Sequence, residues 1–269
     1  MPTTIGIAGF GNMNSTVALF AVNAGYRVIL SNSRGPATLQ NAVSKLGPLD
    51  RAATVEDAIR ESDVVSVSIP LTSLKDLPIE ELAGKIVIDT TNYYPERDGN
   101  IEELDTFQLS TSELVQRILK GSRVVKVFHN ISQFHFRYGA HPANDPERWA
   151  LPLAGDDADA KAFVMKFVSE IGFDPVDCGT LAESWRIQQH SPCYFHPFVG
   201  DIPNGATRDE LFEWVKHDRS RVIKEADVLQ TRRRKRSSRA ARVNSTRTGR
   251  RNSRCSSQSS LTSCSRNEF

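Results

Sequence analysis

Short apolar runs alternate with stretches of helical spacing from residue 4 to residue 179. An apolar strand ending near Ala8 enters the turn Gly9-Phe-Gly-Asn-Met13. Val17, Phe20, Ala21 and Ala24 then fall on one helical face, and Gly25 suits the end of that helix. Residues 26–31 read as the second strand. Residues 53–62 predict a helix with Thr54 as its cap and Asp57 as the acid three positions on. Residues 64–69 predict a buried β-branched strand that Pro70 ends, and residues 85–89 and 124–128 predict two more. Between these last two, residues 110–119 place Leu114, Val115, Ile118 and Leu119 on one helical face. Residues 156–171 predict a long helix, capped by Asp156, with Ala160, Phe163, Val164, Phe167, Val168 and Ile171 facing inward, and residues 173–177 predict the last strand. This alternation implies an α/β fold with a doubly wound, mostly parallel sheet. After Gly179 the chain becomes helical and aromatic, with Trp185, Tyr194, Phe195, Phe198, Phe212 and Trp214. That small helical segment is expected to cover the sheet or to form a dimer contact.

The first strand–turn–helix carries the chemistry. Gly9 suits a tight turn. Gly11 lets a pyrophosphate approach the backbone, with its charge on the amides around Phe10, Asn12 and Met13 at the helix start. A tight turn between any strand and helix gives the same glycines. Asn14 stands where the G-x-G-x-x-G pattern has its third glycine. That glycine normally permits close helix–strand packing, so Asn14 is expected to hold the helix slightly off the sheet and loosen the pyrophosphate site. The second strand ends in Ser31-Asn32-Ser33-Arg34, with no acid for ribose hydroxyls. Hydroxyls and a guanidinium there suit a 2′-phosphate and predict NADP(H). A polar loop with a solvated arginine is the plainer reading.

The blocks 5–14, 30–36, 64–71, 85–95, 124–131, 151–157 and 172–179 together resemble the deazaflavin (coenzyme F420)-dependent NADP oxidoreductases. The relatives of that family include the cytoplasmic reductase domain of the six-transmembrane metalloreductases and, more distantly, pyrroline-5-carboxylate reductase. The resemblance covers about residues 4–195. It implies an NADP-binding Rossmann domain over residues 1–155, an extension over 156–230 that completes the fold, and homodimer packing through the block of Glu183, Trp185 and Arg186. It also implies hydride exchange between NADP(H) and a flavin or deazaflavin. A small carbonyl or imine substrate, or a non-catalytic NADP-binding role, stands as the alternative.

Ligands of such sheets lie beyond the carboxyl ends of the strands. Ile69 and Pro70 are expected against the nicotinamide ribose, and Thr90 and Asn92 at the nicotinamide end. Phe128-His129-Asn130 is expected beside the second substrate, and residues 154–157 form a fourth loop. Thr90 and Asn92 are equally ordinary turn residues at a strand end. His129 departs from the small amide usual in the family. It is the residue best suited to proton transfer, because an unperturbed imidazole titrates near neutrality. The plainer reading is a hydrogen-bonded histidine. His190 and His196 flank an aromatic run, and nothing in the sequence locates them.

Charge changes one part of the picture. Of 34 basic and 32 acidic residues, positions 231–269 hold twelve basic and one acidic, a net of +11 against −9 for the rest. That tail is rich in Arg and Ser and poor in apolar side chains, which predicts disorder. It is expected to bind polyanions nonspecifically, to act as an import-like basic run, or to be a shifted reading frame with no role. No run of eighteen apolar residues suggests a membrane span, and no leader is visible, so a cytoplasmic protein is expected. The four cysteines lack metal-ligand spacing, and Cys178 and Cys193 read as reduced packing residues.

Overall fold

The computed structural model describes residues 3–47, 50–191, 193–218 and 221–232. Disorder expected of the tail concerns, from residue 233 on, positions outside the described residues. Strand β1 is Thr4–Ala8, helix α1 Asn12–Asn23 and β2 Arg27–Ser31. Helix α2 (Gln40–Leu46), β3 (Arg51–Ala52), α3 (Val55–Arg60) and β4 (Val64–Val67) follow. Next come β5 (Ile86–Asp89), the single turns α4 (Pro95–Asp98) and α5 (Glu102–Asp105), α6 (Thr111–Ile118) and β6 (Arg123–Lys126). Then come α7 (Gln133–Tyr138), β7 (Ala150–Gly155), α8 (Ala158–Glu170), β8 (Asp174–Asp177), α9 (Arg208–His217) and α10 (Glu225–Arg232).

The eight strands form one sheet in the order β3-β2-β1-β4-β5-β6-β7-β8. The first six are parallel and doubly wound, so the strand order reverses between β1 and β4. β7 runs antiparallel to β6, with Val125 opposite Gly155, and β8 pairs parallel to β7. The mostly parallel α/β architecture is therefore as the sequence implies, but β7 was not anticipated. Its reversed direction carries residues 154–157 to the edge opposite the other strand ends, so that loop is not part of the ligand edge. Asp157, not Asp156, caps α8 by accepting from the Ala160 amide at 2.7 Å. Asp156 accepts from the Leu181 amide instead. Thr54 caps α3 as read, and Ser110 caps α6 in a full capping box with Glu113.

The C-terminal segment is built into this body. Ile223 accepts from the Ala150 amide at 2.7 Å, and Thr231 closes the last turn of α10 on the Asp227 and Val228 carbonyls. Helix α10 thus extends two residues into what the sequence assigns to the tail. Phe20, Phe128, Phe136, Phe167 and Phe173 stack or meet edge-on beneath β6 and α7. Cys178 and Cys193 are buried. No helix among the described residues is long and apolar enough to cross a membrane.

Asn14 corrects the packing expectation. Its side chain is fully buried, and it is hydrogen-bonded across the contact rather than only filling it. Its amide donates to the Gly9 and Ser66 carbonyls at 3.1 Å each and to the Ala8 carbonyl at 3.4 Å. Its oxygen accepts from the Ser66 hydroxyl at 2.7 Å. One side chain therefore joins α1, the end of β1 and β4. Asn14→Ala strands the buried Ser66 hydroxyl, which costs about 1–3 kcal/mol. We expect urea unfolding of that variant to show a loss of this size, and a variant as stable as the parent would contradict the bridge.

Candidate functional site

The glycine turn sits at the point where the strand order reverses. Gly9 has φ +91°, and a Cβ there would stand 2.5 Å from Ile69 Cγ2 and 2.6 Å from the Ser68 carbonyl. The turns after β1 and β4 therefore touch, and only glycine fits between them. A Cβ at Gly11 would meet nothing within 4 Å. Gly11 is the cap residue of α1, no side chain caps that end, and its first turn holds no acid. The amides at the helix start are thus open to an anion, and the positive end of the helix dipole favours one. These features fit a dinucleotide pyrophosphate.

The loop after β2 divides the residues assigned to the 2′-phosphate. Ser31 is fully buried and donates its hydroxyl to the Ile7 carbonyl at 2.7 Å, so it holds β2 to β1 and has no proton left for a phosphate. Asn32 is also buried; its oxygen accepts from the Arg34 amide at 2.9 Å and its nitrogen meets Thr38 Oγ1 at 3.0 Å. It shapes the loop. Ser33 and Arg34 are exposed, and Arg34 makes no ion pair among the described residues. The sequence pattern treated the four residues alike and did not separate the exposed pair from the two that build the loop.

Next to the glycine turn lies a pocket of about 290 Å³. Asn12, Met13, Ile69, Pro70, Thr90 and Asn92 line it, as do His129 and Asn130. The structure therefore brings together the loops after β4, β5 and β6 with the start of α1. It adds residues that the strand-end rule did not reach: Ser132 just before α7 and Phe134 within it, Tyr94 and Arg97, and Tyr194, Phe195 and Phe212 from the C-terminal segment. The aromatic run was visible in the sequence, but no periodicity said where it folds back. His190 and His196 are not among the pocket residues.

The pocket floor is fixed by buried polar groups. Asp89 accepts from the Thr91 amide and hydroxyl at 2.8 and 2.7 Å and from Ser112 Oγ at 2.6 Å. Lys126 is fully buried, donates to the Thr91 carbonyl at 2.9 Å and stands 3.6 Å from Asp89. Burial pulls Lys126 below the ordinary lysine value and Asp89 draws it back. Thr90 donates to the Val67 carbonyl at 3.0 Å. Asn92 donates to the His129 carbonyl at 2.8 Å and its own carbonyl accepts from Arg97 at 2.7 Å. Phe128 adopts φ +63° at the end of β6, a conformation that a non-glycine residue holds only when its surroundings impose it.

The His129 ring is buried and its Nε2 faces the Ile187 carbonyl at 2.6 Å, so the ring proton sits there. Burial, and then the Lys126 charge, hold it well below the ordinary histidine value. It is neutral at physiological pH, and its proton is committed to the backbone. This geometry does not suit the general acid expected of it.

The reversal point and its cradle define a dinucleotide-binding protein of the doubly wound class. Residues 4–93 match the family described as NADP oxidoreductase, coenzyme F420-dependent. The F420-dependent NADP reductase of Methanocaldococcus jannaschii is 32% identical over 144 residues, which is 51% of this chain and 62% of that protein. Metalloreductase STEAP3 of Rattus norvegicus is 27% identical over 190 residues, 68% of this chain. This chain spans 35% of that metalloreductase. A hypothetical protein from Sinorhizobium meliloti superimposes with a TM-score of 0.62 at 31% identity, covering 72% of this chain and 93% of its own. Over residues 4–93 the chain is thus similar to the F420-dependent NADP oxidoreductases.

The neutral state of His129 has a consequence for stability. Below about pH 6.5 the unfolded chain binds a proton at this position that the folded chain refuses. The stabilisation present above that value is lost as pH falls toward the folded value. Urea unfolding at pH 7.5 and 5.5 should show a loss on acidification that is about 1 kcal/mol smaller in His129→Gln. An equal loss in both proteins would contradict the buried neutral ring.

Proposed function

We propose that this chain is an NADP(H)-dependent oxidoreductase that exchanges a hydride between NADP(H) and a flavin or deazaflavin ring. One observation carries the reading: the exposed Arg34 loop, the open amides after Gly11 and the pocket form a continuous run along the carboxyl edge of the sheet. Arg34 and Ser33 would hold the 2′-phosphate. The amides of Asn12 and Met13 would hold the pyrophosphate, because those of Phe10 and Gly11 are already given to the Ser31 and Gly9 carbonyls. The nicotinamide would lie toward Ile69, Pro70, Thr90 and Asn92, and would supply the hydride when bound.

The protein's share of such a reaction is to hold two rings in contact and to exclude water. Tyr94, Phe134, Tyr194, Phe195 and Phe212 give the pocket flat apolar walls suited to a planar acceptor. The Tyr94 and Tyr194 hydroxyls meet at 2.8 Å, and the Phe195 amide donates to the Asn130 carbonyl at 2.8 Å. These contacts fasten the C-terminal segment over the ligand edge. Under this reading His129 is a strut that sets the backbone beneath the acceptor.

Arg34→Ala removes a charge-assisted contact to the 2′-phosphate, worth about 1.5–3 kcal/mol. Titration calorimetry should show NADPH affinity falling about 10- to 100-fold, with NADH affinity little changed. Equal losses for the two nucleotides would overturn the phosphate assignment.

A further inference from the structure

The reduced acceptor must gain a proton on a ring heteroatom as the hydride reaches its carbon, and His129 is badly placed to give it. A second set of groups meets the requirement. Ser132 lines the pocket, and its Oγ stands 2.6 Å from Nδ1 of His135. His135 Nε2 stands 3.4 Å from Asp218 Oδ2. The imidazole and carboxylate are buried, at 1% and 5% side-chain exposure. Trp149 stacks on the His135 ring at 5.8 Å between centroids. Asp218 follows α9 and also accepts from the Gly200 amide at 2.7 Å. A hydroxyl at the pocket wall is therefore backed by an imidazole from the same turn, and the imidazole by a carboxylate from a distant segment.

We propose that Ser132, His135 and Asp218 form the proton relay of this site. The inference rests on the hydride-transfer reading above. In the reducing direction, NADPH gives a hydride to the acceptor carbon and becomes NADP+. The electron pair displaced onto the acceptor heteroatom takes the proton of the Ser132 hydroxyl. The Ser132 oxygen takes the Nδ1 proton of the His135 imidazolium, which becomes neutral with its remaining proton on Nε2 toward Asp218. Once the reduced acceptor has left, water in the pocket gives a proton to the Ser132 oxygen as the serine proton passes to Nδ1, which restores the imidazolium. The oxidising direction runs the same steps backwards. Asp218 stabilises the charged imidazole and fixes its orientation, as a carboxylate behind a histidine does elsewhere.

Ser132 is also the cap of α7, accepting from the His135 amide at 3.2 Å. Capping uses a lone pair of the serine oxygen, and it needs neither an imidazole on the hydroxyl nor a carboxylate behind that imidazole. The two roles separate by substitution. Asparagine caps a helix as well as serine but has no hydroxyl, whereas threonine keeps both functions.

The full chain should be tested with NADPH and either riboflavin or 5-deazariboflavin as added acceptor. Ser132→Ala and Ser132→Asn should lower turnover about 10- to 100-fold, with NADPH affinity within twofold of the parent. Ser132→Thr should restore most of the rate. The parent's solvent deuterium isotope effect should vanish or change in the Ala and Asn variants. Imidazole nitrogen NMR supplies a readout independent of turnover: the Nδ1 resonance of His135 should shift in Ser132→Ala. Wild-type turnover in Ser132→Asn, or a His135 resonance indifferent to Ser132, would overturn the relay while leaving the hydride reading intact. A parent protein that oxidises no NADPH with either acceptor would overturn the hydride reading and the relay with it.

Discussion

The Asn14 amide is the contact on which the ligand edge depends. A doubly wound sheet must bring the first helix close to the first strand, so that its amide-bearing end points at the crevice where strand order reverses. Close approach with a side chain present requires that side chain to replace the backbone's lost solvent contacts. Asn14 does so by bonding the carbonyls of Ala8, Gly9 and Ser66 and accepting from the Ser66 hydroxyl. In the low dielectric of the interior these bonds reinforce one another, and each broken one leaves an unpaired polar group behind. The turn after β1 and the turn after β4 are thereby fixed in contact, and Gly11 faces open space.

The same logic continues along the edge. Asp89 and Lys126 end neighbouring strands and are wholly buried. Such a pair persists where hydrogen bonds add to the attraction between the charges, here from Thr91 and Ser112 to Asp89 and from Lys126 to the Thr91 carbonyl. The strained Phe128 backbone is over-determined by the aromatic stack around its ring. These groups do not face the pocket in strength; they hold Thr90, Asn92 and His129 where the pocket needs them. Rigid loops on a rigid edge suit a reaction whose demand on the protein is alignment.

Much of this was legible in the chain. Period-two and period-3.6 patterns located β1, α1, β4, β5, α6 and α8, and the strand-end rule named the loops after β4, β5 and β6 that line the pocket. What escaped is of two kinds. Hydrogen-bond direction is invisible to residue type: Ser31 and Arg34 look equally suited to phosphate, yet one hydroxyl is spent on Ile7 while the guanidinium stays exposed. Asn14 reads as a defect in a glycine pattern until its partner Ser66 is seen, 52 residues away. Return of the chain is the second kind. β7 carries Pro152 and a glycine end, so its short apolar run gave no direction, and an antiparallel strand there moved residues 154–157 to the far edge. The pocket's outer wall comes from Tyr194, Phe195 and Phe212, whose spacing follows no regular element across the site. His129 looked chemically apt, but its burial decided otherwise.

The central claim is that one nucleotide lies along this edge, phosphates on the amides after Gly11 and nicotinamide toward the β5 loop. Backbone amide NMR during titration with NADP+ tests it most directly. The account predicts the largest shifts at residues 9–13, 31–34 and 90–92, appearing together as one saturating event. Shifts confined to other surfaces, or none at residues 9–13, would contradict it.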